Sequence, residues 1–91
     1  MRAIIDGEVY DTRKAEWLGE NHGGDFDPDS GEPYPDGWQM TLYIQEGRYF
    51  LHCVGGGRTF FRMRRGNEWV AGDKIIPLPA DKAESLAWRE A

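Results

Sequence analysis

Residues 38–54, WQMTLYIQEGRYFLHCV, constrain the fold more than any other stretch. Trp38, Met40, Leu42 and Ile44 alternate with Gln39, Thr41, Tyr43 and Gln45. That period of two is what a half-buried strand requires. Glu46-Gly47 offers a tight turn, and RYFLHCV returns apolar on both faces, as a central strand does. The three glycines Gly55, Gly56 and Gly57 then read as a flexible turn or bulge. RTFFRMR reads as a third strand, with Phe61 and Met63 on one face and Phe60, Arg62 and Arg64 on the other. The predicted core is an antiparallel meander over 38–65.

The flanks extend it. AIIDGEVY has the signature of a hairpin, because Asp6-Gly7 suits a type I′ turn. DTRKAEWLGE reads as a short helix capped by Asp11 or Thr12 and ended by Gly19. Further on, a turn at Gly66-Asn67, a short strand and a turn at Gly72-Asp73 precede IIPLP. Pro77 lacks an N–H donor, so that apolar piece lies at a sheet edge or leaves the sheet. ADKAESLAWREA closes the chain as a second helix, with Ala83, Leu86 and Ala87 as its inward stripe and Trp88 beside it or exposed. The fold class expected is α+β: a small antiparallel sheet, extended by short strands from the N-terminal hairpin and from 69–78, covered on one face by two short helices. A chain of 91 residues is expected to form a single domain, with residues 21–37 as an acidic loop.

Composition narrows the function. Eleven basic against sixteen acidic residues give a net charge of −5, which disfavours general affinity for nucleic acid or anionic membrane. No apolar run approaches the roughly 20 residues of a membrane span, and the N-terminus has no signal-peptide core, so the cytoplasm is the expected compartment. One cysteine, Cys53, forms no internal disulfide. Its neighbour His52 points to the opposite face of a strand and makes no nucleophile–base pair with it. Cys53 therefore reads as a buried structural thiol, and no catalytic residue, cofactor or metal is expected.

Two charged stretches remain. GGDFDPDSGEPYPDG carries Asp25, Asp27, Asp29, Glu32 and Asp36 without a basic residue. Asp25-x-Asp27-x-Asp29 opens as a calcium loop does, with Asp36 at the twelfth position. Yet Ser30 holds the sixth position that requires Gly, Pro28 and Pro33 stiffen the segment, and a strand rather than a helix follows. A solvated loop is the plainer account, although the sequence alone leaves calcium open. VGGGRT resembles no phosphate loop, since no helix follows it. The second stretch, from Arg48 to Arg65, holds Arg48, Arg58, Arg62, Arg64 and Arg65 and no carboxylate.

The blocks IIDGEVYDTRKAEWLGE, TLYIQEGRYFLHCVGGG and IIPLPADKAESLAWRE together resemble a family of small bacterial and mobile-element proteins. The carriers are Gly7, Tyr10, Asp11, Thr12 and Ala15; then Leu42, Tyr43, Gly47, Tyr49, Phe50, Leu51, Gly55 and Gly56; then Ile75, Ile76, Pro77, Leu78 and Ala83. The resemblance covers most of the chain and implies an α+β domain of phage or mobile-element origin, without an activity. The acidic loop and RTFFRMRR depart from the family pattern.

The expected function is a non-enzymatic protein-interaction module, in its sharper form an inhibitor of a host defence complex such as a CRISPR effector. Asp25, Asp27, Asp29, Glu32 and Asp36 would meet a basic surface on the host protein, with Tyr34 and Trp38 as anchors. The alternative is single-stranded nucleic-acid binding through an Arg/aromatic sheet face of Arg58, Phe60, Arg62 and Arg64. In a third arrangement the acidic loop folds over the arginines and neutralises them. Oligomeric state is open, because an edge strand or an outward Trp88 could join two copies.

Overall fold

A computed structural model describes residues 1–86 of the chain. The N-terminal hairpin forms as the turn chemistry dictates. β1 (Arg2–Ile5) pairs antiparallel with β2 (Glu8–Asp11) in the register Ile5↔Glu8. Asp6 and Gly7 span the turn at φ 51° and 81°, the positive values of a type I′ turn. β3 (Glu16–Gly23), β4 (Trp38–Gln45), β5 (Arg48–Gly55) and β8 (Gly72–Leu78) make a four-stranded sheet in the order β3-β4-β5-β8. β6 (Met63–Arg65) and β7 (Glu68–Val70) form a separate antiparallel hairpin. The one helix among the described residues, α1 (Ala80–Glu84), has five residues.

The fold is thus essentially all-β, and the α+β expectation of two helices over a meander is overturned. DTRKAEWLGE is not a helix. Asp11 Oδ1 accepts the Arg13 N–H and the Asp11 carbonyl accepts the Lys14 N–H, which makes a turn, and the chain then enters β3. Two turns of helix were marginal by themselves, and pairing with β4 supplies more backbone bonds. RTFFRMR is not a third strand either: residues 57–62 turn, and only Met63–Arg65 is extended. β5 takes β8 as its neighbour instead, so no meander runs over 38–65. Gly72-Asp73, expected to turn, lies inside β8. Pro77 sits on β8 at the sheet edge, where its missing donor is tolerated. The closing helix stops after Glu84; Ala87 and Trp88 lie outside the described residues.

The chain divides into two compact units. Among the described residues, one contains 1–20, 41–52 and 75–86; the other contains 21–40 and 53–74. In the first, Tyr10, Phe50 and Ile75 form the buried cluster, with Ala3, Ile5, Ala15 and Tyr43 packed on it. Phe50 is fully buried, edge-on to Tyr10 and stacked on Tyr43 at 5.3 Å in each case. The buried Gln45 Oε1 accepts the Asp11 N–H at 2.9 Å, which fastens the N-terminal hairpin to the end of β4. Thr41 and Gln45 are buried although the alternation placed them outward. Several carriers of the family resemblance (Tyr10, Leu42, Phe50, Leu51, Ile75 and Ala83) are core residues of this kind.

Arg48 belongs to this unit and not to a basic patch. It reaches Glu8 at 3.1 Å and Glu46 at 3.6 Å, donates to the Val9 carbonyl at 3.0 Å and lies over the Tyr10 ring. Arg48→Ala is expected to destabilise by about 1–3 kcal/mol, through lost packing on Tyr10 as well as lost hydrogen bonds. Urea unfolding followed by tryptophan fluorescence checks this.

Candidate interaction surface

The second unit carries every candidate site residue. Its acidic loop runs from Gly24 to Gly37, since residues 21–23 belong to β3. The loop is not a slack connection. Asp27 N–H donates to the Glu32 carbonyl, Gly31 N–H to the Asp27 carbonyl and Tyr34 N–H to the Asp25 carbonyl, at 2.8–3.0 Å. Phe26 and Pro33 form a β-bridge across it. Asp27 Oδ1 accepts the Asp29 N–H and Ser30 Oγ accepts the Glu32 N–H, two local side-chain turns of the kind these residue types favour. Gly31 takes φ +75° at the tip. The result is a small hairpin-like finger with Asp25, Asp29, Glu32 and Asp36 exposed and Asp27 half-buried.

Neutralisation of this finger by the arginines is slight. Among the described residues, Asp36 is the only carboxylate of the loop with a guanidinium in reach, Arg58 at 4.0 Å. Both side chains are more than 70% exposed, and a pair of that kind contributes at most about 1 kcal/mol. Nor are the carboxylates gathered as ligands: among the described residues no three His, Cys, Asp or Glu groups converge to hold a metal ion. Of the two expected anchors, Tyr34 is exposed, whereas Trp38 is half-buried with its indole over Gly23.

The glycine run Gly55, Gly56 and Gly57 turns out to be a junction, not a flexible turn. A Cβ on Gly55 would meet Thr59 and Phe61, one on Gly56 the Tyr34 and Pro35 carbonyls, and one on Gly57 the Trp69 carbonyl. Three segments thus approach three successive Cα atoms closely. Gly56 N–H donates to the Gly37 carbonyl and Arg58 N–H to the Pro35 carbonyl, both at 2.9 Å. Thr59 Oγ donates to the Gly56 carbonyl at 2.8 Å and accepts the Phe61 N–H at 3.2 Å. This turn holds Phe60 outward, 91% exposed.

The arginines therefore lie on a turn and a hairpin, not on a sheet face. Arg58, Phe60 and Arg62 rim a groove of about 490 Å³ together with Asp36; Trp38, Met40, Thr59 and Phe61 complete its lining. A second groove, of about 580 Å³, is lined by Pro33, Pro35, Gly56, Gly57, Arg58, Trp69, Val70 and Ala71. Arg58 is common to both. Arg62 lies 4.4 Å and Arg64 5.7 Å from the Trp69 ring centre, as cations over a π face. Met40, Thr59, Phe61 and Trp69 were missed as site residues in the sequence. The clue was GGGRT, where glycines followed by Thr permit a close side-chain turn.

Cys53 takes no part in this surface. It is fully buried, and burial pushes its thiol up to about 11 from an ordinary 9.0, with Lys74 pulling weakly the other way. Thiol reagents are expected to label it only on unfolding. The raised value favours the neutral thiol in the fold. Its contribution to stability is therefore complete below pH 9.0 and lost as pH rises to about 11. Urea midpoints across that window, compared with Cys53→Ala, measure it.

Fold and surface together define a small β-rich chain with an exposed aromatic and charged surface built from its second unit. No protein-family model, curated protein or solved structure matches it significantly. Among the described residues, no helix is long and apolar enough to cross a membrane.

Proposed function

We propose that the chain is a non-enzymatic protein-interaction module of phage or mobile-element origin, which presents the finger 24–37 to a basic surface on a host protein. The observation that supports this reading is the tied-down backbone of the finger beneath exposed and largely unneutralised carboxylates. A preformed loop forfeits little conformational entropy on binding. Carboxylates spaced along it can occupy a basic groove that otherwise takes nucleic-acid phosphates, which makes a nucleic-acid-processing defence complex, such as a CRISPR effector, the fitting partner class. Tyr34, 46% exposed, supplies an aromatic contact beside the charges.

The test is capture of host proteins by the tagged chain at about 0.05 M and 0.2 M salt. Partner capture is expected to fall steeply between the two. The triple variant Asp25→Asn, Asp29→Asn, Glu32→Gln moves the net charge from −5 to −2 and is expected to abolish capture. It leaves the Asp27 side-chain turn intact. Undiminished capture by this variant removes the finger from the mechanism.

A further inference from the structure

Phe60 is the least explained residue of the described chain. A phenylalanine left 91% exposed forgoes roughly 1.5–3 kcal/mol of burial, yet Thr59 and the glycine junction fix the turn that displays it. Beside it opens the first groove, with Trp38, Met40 and Phe61 among its walls. Arg58 also lines the second, together with Trp69 and two prolines. Trp69 is itself 52% exposed and bears the Arg62 and Arg64 guanidinium groups. Two grooves with aromatic lining thus share one cation, and two more guanidinium groups lie over the Trp69 ring.

From this we infer that the two grooves sharing Arg58 form a docking site for a single nucleic-acid strand, one base in each groove and the linking phosphate on the Arg58 guanidinium. A strand alternates flat apolar bases with anionic phosphates, and the surface offers complementary groups. Stacking on aromatic side chains and on guanidinium planes accepts any base, so the site reads no sequence. Bases held in a duplex are stacked on each other and do not enter such concavities. Charge argues against an apolar peptide, and two aromatic-lined grooves that share one cation fit a base–phosphate–base repeat better than an acidic peptide does. Arg58 serves both grooves, is 77% exposed, and its carboxylate neighbour, Asp36, lies at the 4.0 Å limit of an ion pair. Asp36 and the net charge of −5 oppose the strand, so binding is confined to low salt. A module seated on a nucleic-acid-processing complex meets both a basic protein face and an exposed strand, and the two sites are compatible on those terms.

The test is fluorescence anisotropy with labelled oligo-dT and oligo-rU of about eight nucleotides, and a duplex of equal length, at about 0.05 M salt. Binding of either strand, with quenching of tryptophan emission, is expected. Phe60→Ala and Arg58→Gln are each expected to weaken it about tenfold. Both side chains are exposed, so circular dichroism should show an unaltered fold. Asp36→Asn is expected to tighten binding, because it frees Arg58. A preference for dT or rU identifies the natural strand and supports the site. Failure of both strands to bind, equal binding of the duplex, or full binding by Phe60→Ala overturns it; the last result would mark unspecific charge attraction. The acidic-finger triple variant is expected to keep strand binding, so loss of protein capture and loss of strand binding report on separate proposals.

Discussion

Phe50→Ala is expected to destabilise the chain by about 3–5 kcal/mol, the range for removing a wholly buried phenylalanine. Phe50 has no exposed surface and joins the Tyr10 and Tyr43 rings, one edge-on and one stacked. Aromatic pairs of this geometry add about 0.5–1.5 kcal/mol beyond the area they bury. A small domain has only about 5–15 kcal/mol in all, so the loss is a large share of it. The melting temperature is expected to drop by at least about 12 °C. Ile4→Ala in the N-terminal hairpin is the control. Ile4 is 62% exposed, and its truncation is expected to cost no more than about 0.5 kcal/mol. Urea melts of the two variants decide the matter, and equal midpoints would show that the Tyr10–Phe50–Tyr43 cluster does not hold the first unit.

Gly56→Ala is expected to be damaging although it adds a single methyl group. That methyl would land on the Tyr34 carbonyl oxygen, with the Pro35 carbonyl close behind. Both are backbone, so no side chain can swing aside. The acidic finger would have to withdraw, breaking the Gly56 N–H bond to the Gly37 carbonyl and the Arg58 N–H bond to the Pro35 carbonyl. Overpacking of this sort costs about 1–3 kcal/mol, sometimes more. The finger is expected to lose amide protection from hydrogen exchange at Asp27, Gly31, Tyr34 and Gly37, the residues whose N–H groups tie it down. Gly31→Asn at the tip provides the contrast. Nothing lies within 4 Å of a Cβ there, and Asn tolerates the φ of +75° better than other non-glycine residues. That variant is expected to leave both stability and protection nearly unchanged.

Local chemistry was legible in the sequence and pairing was not. Asp6-Gly7, Glu46-Gly47 and Gly66-Asn67 could be read as turns because positive φ selects its residues within two positions. The strands beside them followed from alternation. Which strand lies next to β5 did not follow, since RTFFRMR and GDKIIPL both look extended and only the latter pairs with it. The same ambiguity hid β3. EWLG fits a helical stripe as well as a strand, and its choice is set by pairing with β4, which begins only at Trp38. Arg58, Phe60 and Arg62 could be picked out by residue type, yet their shared groove depends on Thr59 and the glycines reversing the chain. The carboxylates could be counted but not their fixed spacing, which is a property of six backbone carbonyls and their donors.

The triple-glycine junction also decides where this chain can vary. Loop, turn and hairpin abut on three adjacent Cα atoms, so a residue inserted at any of them would unseat its neighbours. The far tips, at Gly31 and Gly66, face open space. Lengthening is tolerable at those two points alone among the glycines of this unit. Lineages pressed to track a changing target would therefore diversify the fingertips while the knuckle stays frozen.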